Sequence, residues 1–278
     1  MANIALLIGI NLYKKFQNLR GCVNDSKSMR KILMNYLGFE PENIRVLIDN
    51  RATKENIMIR LNWLVKASKP GDYLILHFAG HGAQIRDRDG DELLDQLDEI
   101  ICPYDMDWDG TYITDDEISC IFKELKKEVL LEVFLDCCHS GAGTREIPAA
   151  AGNGDQREIC YRYLEPPFDI ACRSDIFPEL PMRGFGHKSE LAKLNHVLWS
   201  ACRDDQSAAD AYIGERFHGV FTYSICNHFE ATGGMTSRIG LLRRIRASIR
   251  HGGFSQIPQL VAPEDLGLRE SYVKGDHE

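Results

Sequence analysis

The sequence predicts an α/β fold, a parallel sheet with helices on both faces, and two observations carry that prediction. The first is alternation. Short apolar runs bounded by turn residues take turns with segments of helical apolar spacing, the pattern of βαβ units. The second is how two of the runs end. Tyr73-Leu74-Ile75-Leu76-His77-Phe78 leads into Ala79-Gly80-His81-Gly82, and Leu130 to Leu135 leads into Asp136-Cys137-Cys138-His139-Ser140-Gly141. Nearly continuous apolar runs suit buried parallel strands. In an open α/β sheet, chemistry collects at the carboxyl ends of strands. If these two strands are neighbours, an imidazole and a thiol meet at one rim, as a cysteine nucleophile with a histidine base requires.

In chain order, Asn3 to Ile10 reads as the first strand. Asp25 or Ser26 can cap a helix through Tyr36, with Met29, Ile32, Leu33 and Tyr36 at helical spacing and Gly38 just beyond. Ile44 to Ile48 is the second strand. Thr53 caps a second helix to about Ala67, with Ile57, Leu61 and Leu64 on one face. Pro70-Gly71-Asp72 turns into the third strand. Residues 87–117 carry thirteen carboxylates and read as an acidic loop, after which Thr114 caps a helix to about Lys127. The fourth strand is Leu130 to Leu135. Residues 142–190 lose all periodicity and read as a long exposed connection. Patterning resumes with a fifth strand, His196 to Ser200. Helices follow over about Gly219 to Phe229 and Thr236 to His251, then a short last strand, Gln259 to Val261.

With 278 residues the chain can bury a substantial core, and 44% hydrophobic residues is ordinary for a globular protein. A net charge of -8 argues against a nucleic-acid partner and fits attraction of cationic substrates. The nine cysteines have neither zinc-site nor disulfide-framework spacing, so a reducing, cytosolic compartment is expected. No basic residue precedes Ala5 to Ile10, which reads as a strand and not a signal peptide, and no run reaches membrane-spanning length.

His-Phe-Ala-Gly-His-Gly followed by Asp-Cys-Cys-His-Ser-Gly resembles the metacaspases, in the caspase-like clan of cysteine peptidases. Further matches are Leu19 to Asp25, Ile113 to Glu117 and Ser200 to Asp210, so the resemblance runs from Ala5 to about Pro263. It implies a caspase-like three-layer α/β/α sandwich with a six-stranded, mostly parallel sheet, in one domain. Residues 1–141 would form a larger part and residues 191–278 a smaller one, joined by 142–190. It also implies a compact, prokaryotic-type form without a prodomain, acting as a monomer.

Two adjacent cysteines compete for the role of nucleophile, and strand alternation points them to opposite faces. The metacaspase motif places the nucleophile directly before His-Ser-Gly, which selects Cys138; the bland alternative is a pair of packed thiols closing a strand. His77 lies inside its strand and is expected to pack. The family's Gly-His-Gly motif makes His81 the base, which would polarise the thiol and protonate the leaving amine. Backbone N–H groups of Gly82 and Cys138 are plausible oxyanion donors. The family's acidic pocket for arginine or lysine before the cut maps onto Cys22, Asp25 and Asp136, with a charge-assisted bond from the substrate to Asp136. Asp25 could instead be a helix cap.

Asp105 to Gly110 matches half of an EF-hand loop, but the closing glutamate is misplaced. Calcium-dependent metacaspases use aspartates that align with Asp98, Asp115 and Asp116, so the resemblance implies a Ca2+ site there. The family's fourth ligand falls near Arg145, with Glu146 as a substitute. Arg238, Arg243, Arg244, Arg246 and Arg250 read as a solvated basic face. The expected function is a calcium-stimulated cysteine endopeptidase cutting proteins or peptides after Arg or Lys. It would also cut itself after Arg145, Arg157, Arg162, Arg173, Arg183 or Lys188, of which Arg183 and Lys188 look most accessible. The rivals are a non-enzymatic caspase-like interaction module, which the presence of both His81 and Cys138 disfavours, and a protease of the same clan with aspartate specificity, which Asp136 disfavours.

Overall fold

A strand covered on both faces has to be apolar along its length, and three runs meet that condition: β1 (Asn3–Gly9), β3 (Tyr73–Ala79) and β7 (Leu130–Asp136). The structure is a computed structural model that describes residues 1–86, 97–139, 159–171 and 195–263. With β2 (Ile44–Ile48), β9 (Val197–Ser200) and β12 (Gln259–Val261) these strands form one six-stranded sheet in the order β12-β9-β7-β3-β1-β2. All neighbours pair in parallel except β12, which runs antiparallel to β9. Register places Ala79 beside Asp136, so β3 and β7 end together.

Helices cover both faces. On one side lie α1 (Cys22–Tyr36), α5 (Val220–Thr232) and α6 (Arg238–His251), which bury Met29, Leu33, Phe221, Ile225 and Leu241 against the sheet. On the other lie α2 (Lys54–Ala67) and α3 (Asp115–Phe122), which bury Ile57, Leu61, Leu64 and Ile121. The three-layer sandwich of the sequence reading is present. No helix among the described residues is long and apolar enough to cross a membrane.

Several elements depart from the sequence reading. α1 starts before Asp25: Gly21 is its N-cap and no side chain of the cap residue contributes. The N–H groups of Arg20 and Gly21 donate to Asp210, and that of Val23 to Asn11, so distant side chains do the work of a cap. The acidic segment is partly sheet, with β4 (Gly82–Arg86), β5 (Leu97–Ile101) and β6 (Ile113–Thr114) pairing antiparallel in the order β4-β5-β6. Thr114 and Glu117 form a full capping box on α3, but that helix stops at Phe122, short of Lys127.

The connection at 142–190 holds a strand, β8 (Ile159–Tyr161), and one helical turn, α4 (Phe168–Ala171). A third sheet, ordered β11-β10-β8, adds the hairpin β10 (Ala209–Ile213) and β11 (Arg216–Gly219). Gly214 and Glu215, with φ of 58° and 72°, make its two-residue turn. Arg238 is not on a solvated face. It is buried and donates to Glu132 on β7, which also accepts from Trp199 and Tyr73. A charge in the middle of an apolar strand is therefore paired and hydrogen-bonded.

Candidate active site

The carboxyl ends of β3 and β7 lie side by side, and the chain turns sharply at both. A Cβ at Gly80 would collide with the Tyr13 hydroxyl and the Phe78 ring, and one at Gly82 with the carbonyl of Cys138. Both glycines permit a close approach that a side chain would block. Between them, His81 is held on three sides. Its N–H donates to the Tyr13 hydroxyl at 2.7 Å, its ring lies 4.8 Å from the Tyr13 ring, and Nε2 lies 2.9 Å from the carbonyl of Gln17. A carbonyl accepts only, so Nε2 carries the proton and Nδ1 is left with its lone pair. Nδ1 is buried and has no hydrogen-bond partner. Burial lowers the His81 pKa to about 4, so the ring is a neutral base at ordinary pH.

Cys138 and Cys137 do point to opposite faces. Cys137 joins the core beneath α2 and α3, where burial keeps its thiol protonated, and its Sγ lies 3.6 Å from Nε2 of His139. Cys138 faces the α1 and α5 side, and its Sγ accepts from the N–H of Ala208. Among the described residues no hydrogen bond joins Cys138 to His81. His139 faces Glu99, with Nδ1 3.8 Å from the carboxylate, and burial lowers its pKa to about 3. His77 packs as expected, 3.1 Å from the Thr222 hydroxyl.

The rim is occupied by the chain's own residues 159–164. The carbonyl of Arg162 accepts from the N–H of Gly82 and the N–H of Cys138, both at 3.1 Å. The N–H of Arg162 donates to the carbonyl of Ala208 at 3.0 Å, and the N–H of Leu164 to the carbonyl of Gly82 at 2.9 Å. The Arg162 side chain is 0% exposed and runs into a closed acidic pocket. Its guanidinium lies 2.5 Å from Asp25, 3.2 Å from Asp136 and 3.7 Å from Asp210.

The pocket is shaped by its neighbours. A Cβ on Gly219 would strike both Asp136 and the guanidinium. Asp136 accepts from the N–H and the hydroxyl of Thr222, at 3.0 and 2.6 Å. Asp25 accepts from His218 and from the N–H of Gly219. Burial alone would raise Asp25, but Arg162 and these donors outweigh it and hold the carboxyl below its usual range. For Asp136 burial wins and its pKa rises to about 6, the nearby charge of Asp25 adding to the effect. Cys22 is buried beside the pocket, and burial keeps its thiol protonated against the pull of Arg162. A cation held by three carboxylates satisfies the rule that buried charge is paired.

Sequence reading named Cys22, Asp25, Asp136, His81, Gly82 and Cys138, and the fold gathers them around one docked residue. It gave no role to Asp210, although that residue closes the Ser200 to Asp210 match, and it missed Gly219, Thr222 and the carbonyls of Gln17 and Ala208, because backbone groups and long-range contacts leave no local signal. Asp25 is not a cap; its carboxylate faces the pocket. Of the bonds proposed for self-cleavage, Arg162 lies in this pocket; Arg145, Arg157, Arg173, Arg183 and Lys188 lie outside the described residues, as does Glu146. Asp98 on β5 and Asp115 and Asp116 in the first turn of α3 flank one corner, because Ile100 pairs with Thr114. Among the described residues no three such side chains come together closely enough to hold a metal. Their carboxylates are oxygen donors of the type calcium takes, but as placed they do not make a cage.

Residues 4–145 match the profile of the metacaspase, peptidase C14 domain. Metacaspase-1A of Neurospora crassa is 31% identical over 97% of this chain, which spans 64% of that relative's length. Metacaspase-1 of Pyricularia oryzae is 30% identical over 94% of the chain and 72% of the relative. A crystal structure of a Geobacter sulfurreducens protein superposes with a TM-score of 0.70 at 25% identity, covering 98% of each chain.

Proposed function

The chain belongs to the metacaspase family of cysteine-type peptidases, and from that premise we propose that it is an endopeptidase cutting after arginine or lysine. The Arg162–Tyr163 bond of its own chain would be one substrate. The observation that carries this reading is the pose of Arg162. Its side chain fills a pocket of three carboxylates while its carbonyl takes two backbone N–H donors at 3.1 Å. In this reading specificity and catalysis meet at the same residue.

In this reading Cys138 Sγ leaves the Ala208 N–H by rotation about one side-chain bond and attacks the carbonyl carbon of the docked arginine. The thiol proton passes to Nδ1 of His81, whose tautomer is fixed by Gln17. The N–H groups of Gly82 and Cys138 stabilise the oxyanion. The C–N bond then breaks, His81 returns the proton to the leaving amine, and water hydrolyses the thioester. An acidic residue would bring a further carboxylate against Asp25, Asp136 and Asp210, so aspartate specificity is disfavoured.

Calcium is the proposed activator. Asp98, Asp115 and Asp116 would supply carboxylate oxygens, and a bound ion would hold β5 against α3. The expected affinity is weak, on the order of 10⁻⁴–10⁻³ M. Calcium should raise the thermal midpoint as well as the rate, and Asp115→Ala with Asp116→Ala should remove both responses.

A panel of fluorogenic peptides with Arg, Lys or Asp before the cut, run with and without calcium, tests the reading. Cleavage of the basic peptides alone is expected. Equal cleavage of Arg and Asp peptides would sink the specificity, and no cleavage of any peptide would favour a binding module.

A further inference from the structure

The docked segment is held by more than its arginine. β8 adds to the free edge of β10 in antiparallel register, with Tyr161 opposite Ala209 and Ile159 opposite Ala211. Alternate side chains of a strand share a face. Tyr161 and Ile159 accordingly both pack against one apolar patch, Ala209, Ala211, Val220, Ile249 and Phe254. The patch lies apart from the acidic pocket and has no part in the bond-breaking step described above. On the far side of the Arg162–Tyr163 bond, Tyr163 bridges Gly82 in parallel fashion. Leu164 is then drawn into the core at 7% exposure while its N–H bonds to Gly82. Glu165, next in sequence, is exposed.

We infer that the substrate class of this enzyme is an extended polypeptide strand with bulky apolar residues at the second and fourth positions before the cut and an aliphatic residue at the second position after it. The inference rests on reading Arg162 as the residue before the cut. Main-chain pairing with β10 and Gly82 supplies affinity without regard to sequence, and the apolar patch and the Leu164 site supply selection at alternate positions, as in other recognition by strand addition. Two small residues, Ala209 and Ala211, leave room on β10 for large partners. Ile159 and Tyr161 alternate as in a half-buried strand, and Leu164 beyond the cut lies out of that phase. In a folded protein such a segment is hidden and already paired, so the enzyme acts on polypeptide that is unfolded or has an unpaired edge.

The test is a set of internally quenched peptides cleaved by the unmodified enzyme. The parent is Ile-Ser-Tyr-Arg-Tyr-Leu, and three others carry serine in place of the isoleucine, the tyrosine before the arginine, or the leucine. Each serine should lower kcat/KM roughly tenfold, the worth of one apolar side chain in a fitted site. In the whole chain, Tyr161→Ser should slow cutting after Arg162 by a similar factor. If all four peptides are cut within twofold of one another, the substrate class is wrong while the arginine specificity stands. If none of these Arg peptides is cut, both readings fall.

Discussion

β7 and β8 both end at the candidate active site, yet different forces bring them there. β7 is seven residues long, has a parallel neighbour on each side, and buries Leu131, Val133, Phe134 and Leu135 in the core. β8 is three half-buried residues with one neighbour, β10. What fixes β8 is main-chain pairing, one guanidinium among carboxylates and the packing of Ile159 and Tyr161 on a small apolar patch. Removing β7 would destroy the sheet. Removing β8 would uncover an edge strand, two N–H donors and an acidic pocket, which another strand with an arginine can fill. In the proposed reading the first strand is built as enzyme and the second as substrate.

The sharpest ways to break that contrast lie at the nucleophile. Cys138→Ala should abolish cleavage of peptides and of the chain, while Cys137→Ala, whose thiol lies in the opposite core, keeps most activity. His81→Ala should cost on the order of 10³-fold or more in kcat, since acylation and amine release both use it. Comparable turnover by the Cys138 variant in a peptide assay would overturn the assignment. Next in size are the pocket changes. Asp136→Ala and Gly219→Val should lower kcat/KM on Arg peptides by about a hundredfold, because one removes a carboxylate facing the guanidinium and the other fills its place. Circular dichroism should show both variants folded.

Arg162→Ala moves the opposite way. It should end cutting at that position and lower KM for added Arg peptides about tenfold, since a tethered competitor works at about millimolar effective concentration. An unchanged KM would mean that the segment does not compete for the site. The smallest effect is on pH. Burial pushes the Asp136 carboxyl up to about 6 and the His81 ring down to about 4. As pH falls through about 6 the Asp136 carboxylate takes up a proton and the pocket loses negative charge, so kcat/KM for Arg peptides should fall there and not near 4. An acid limb centred near 4 would assign the limb to His81.

Much of the frame was legible because its signals are local. Thr53 does accept from Asn56 at the start of α2, Thr114 and Glu117 do form the box on α3, and β2 falls where its apolar run lies. The substrate side was not legible, because a short edge strand such as Ile159–Tyr161 owes its existence to pairing with a partner almost fifty residues away. One missed signal was present in sequence: Ile213-Gly214-Glu215-Arg216 reads as a two-residue hairpin turn, which would have exposed β10 and β11. At the site, His81, Cys138, Asp25 and Asp136 stood in recognisable motifs. Arg162 stood in none, and nothing short of the fold distinguishes it from the other basic residues of the connection.

The account turns on the Arg162–Tyr163 bond being held as a substrate, and mapping new N-termini after incubating the purified protein with calcium tests that most directly. A fragment beginning at Tyr163 is expected, absent from the Cys138→Ala protein. A chain that cleaves added Arg peptides yet stays whole, or is cut elsewhere with Arg162–Tyr163 intact, would contradict it.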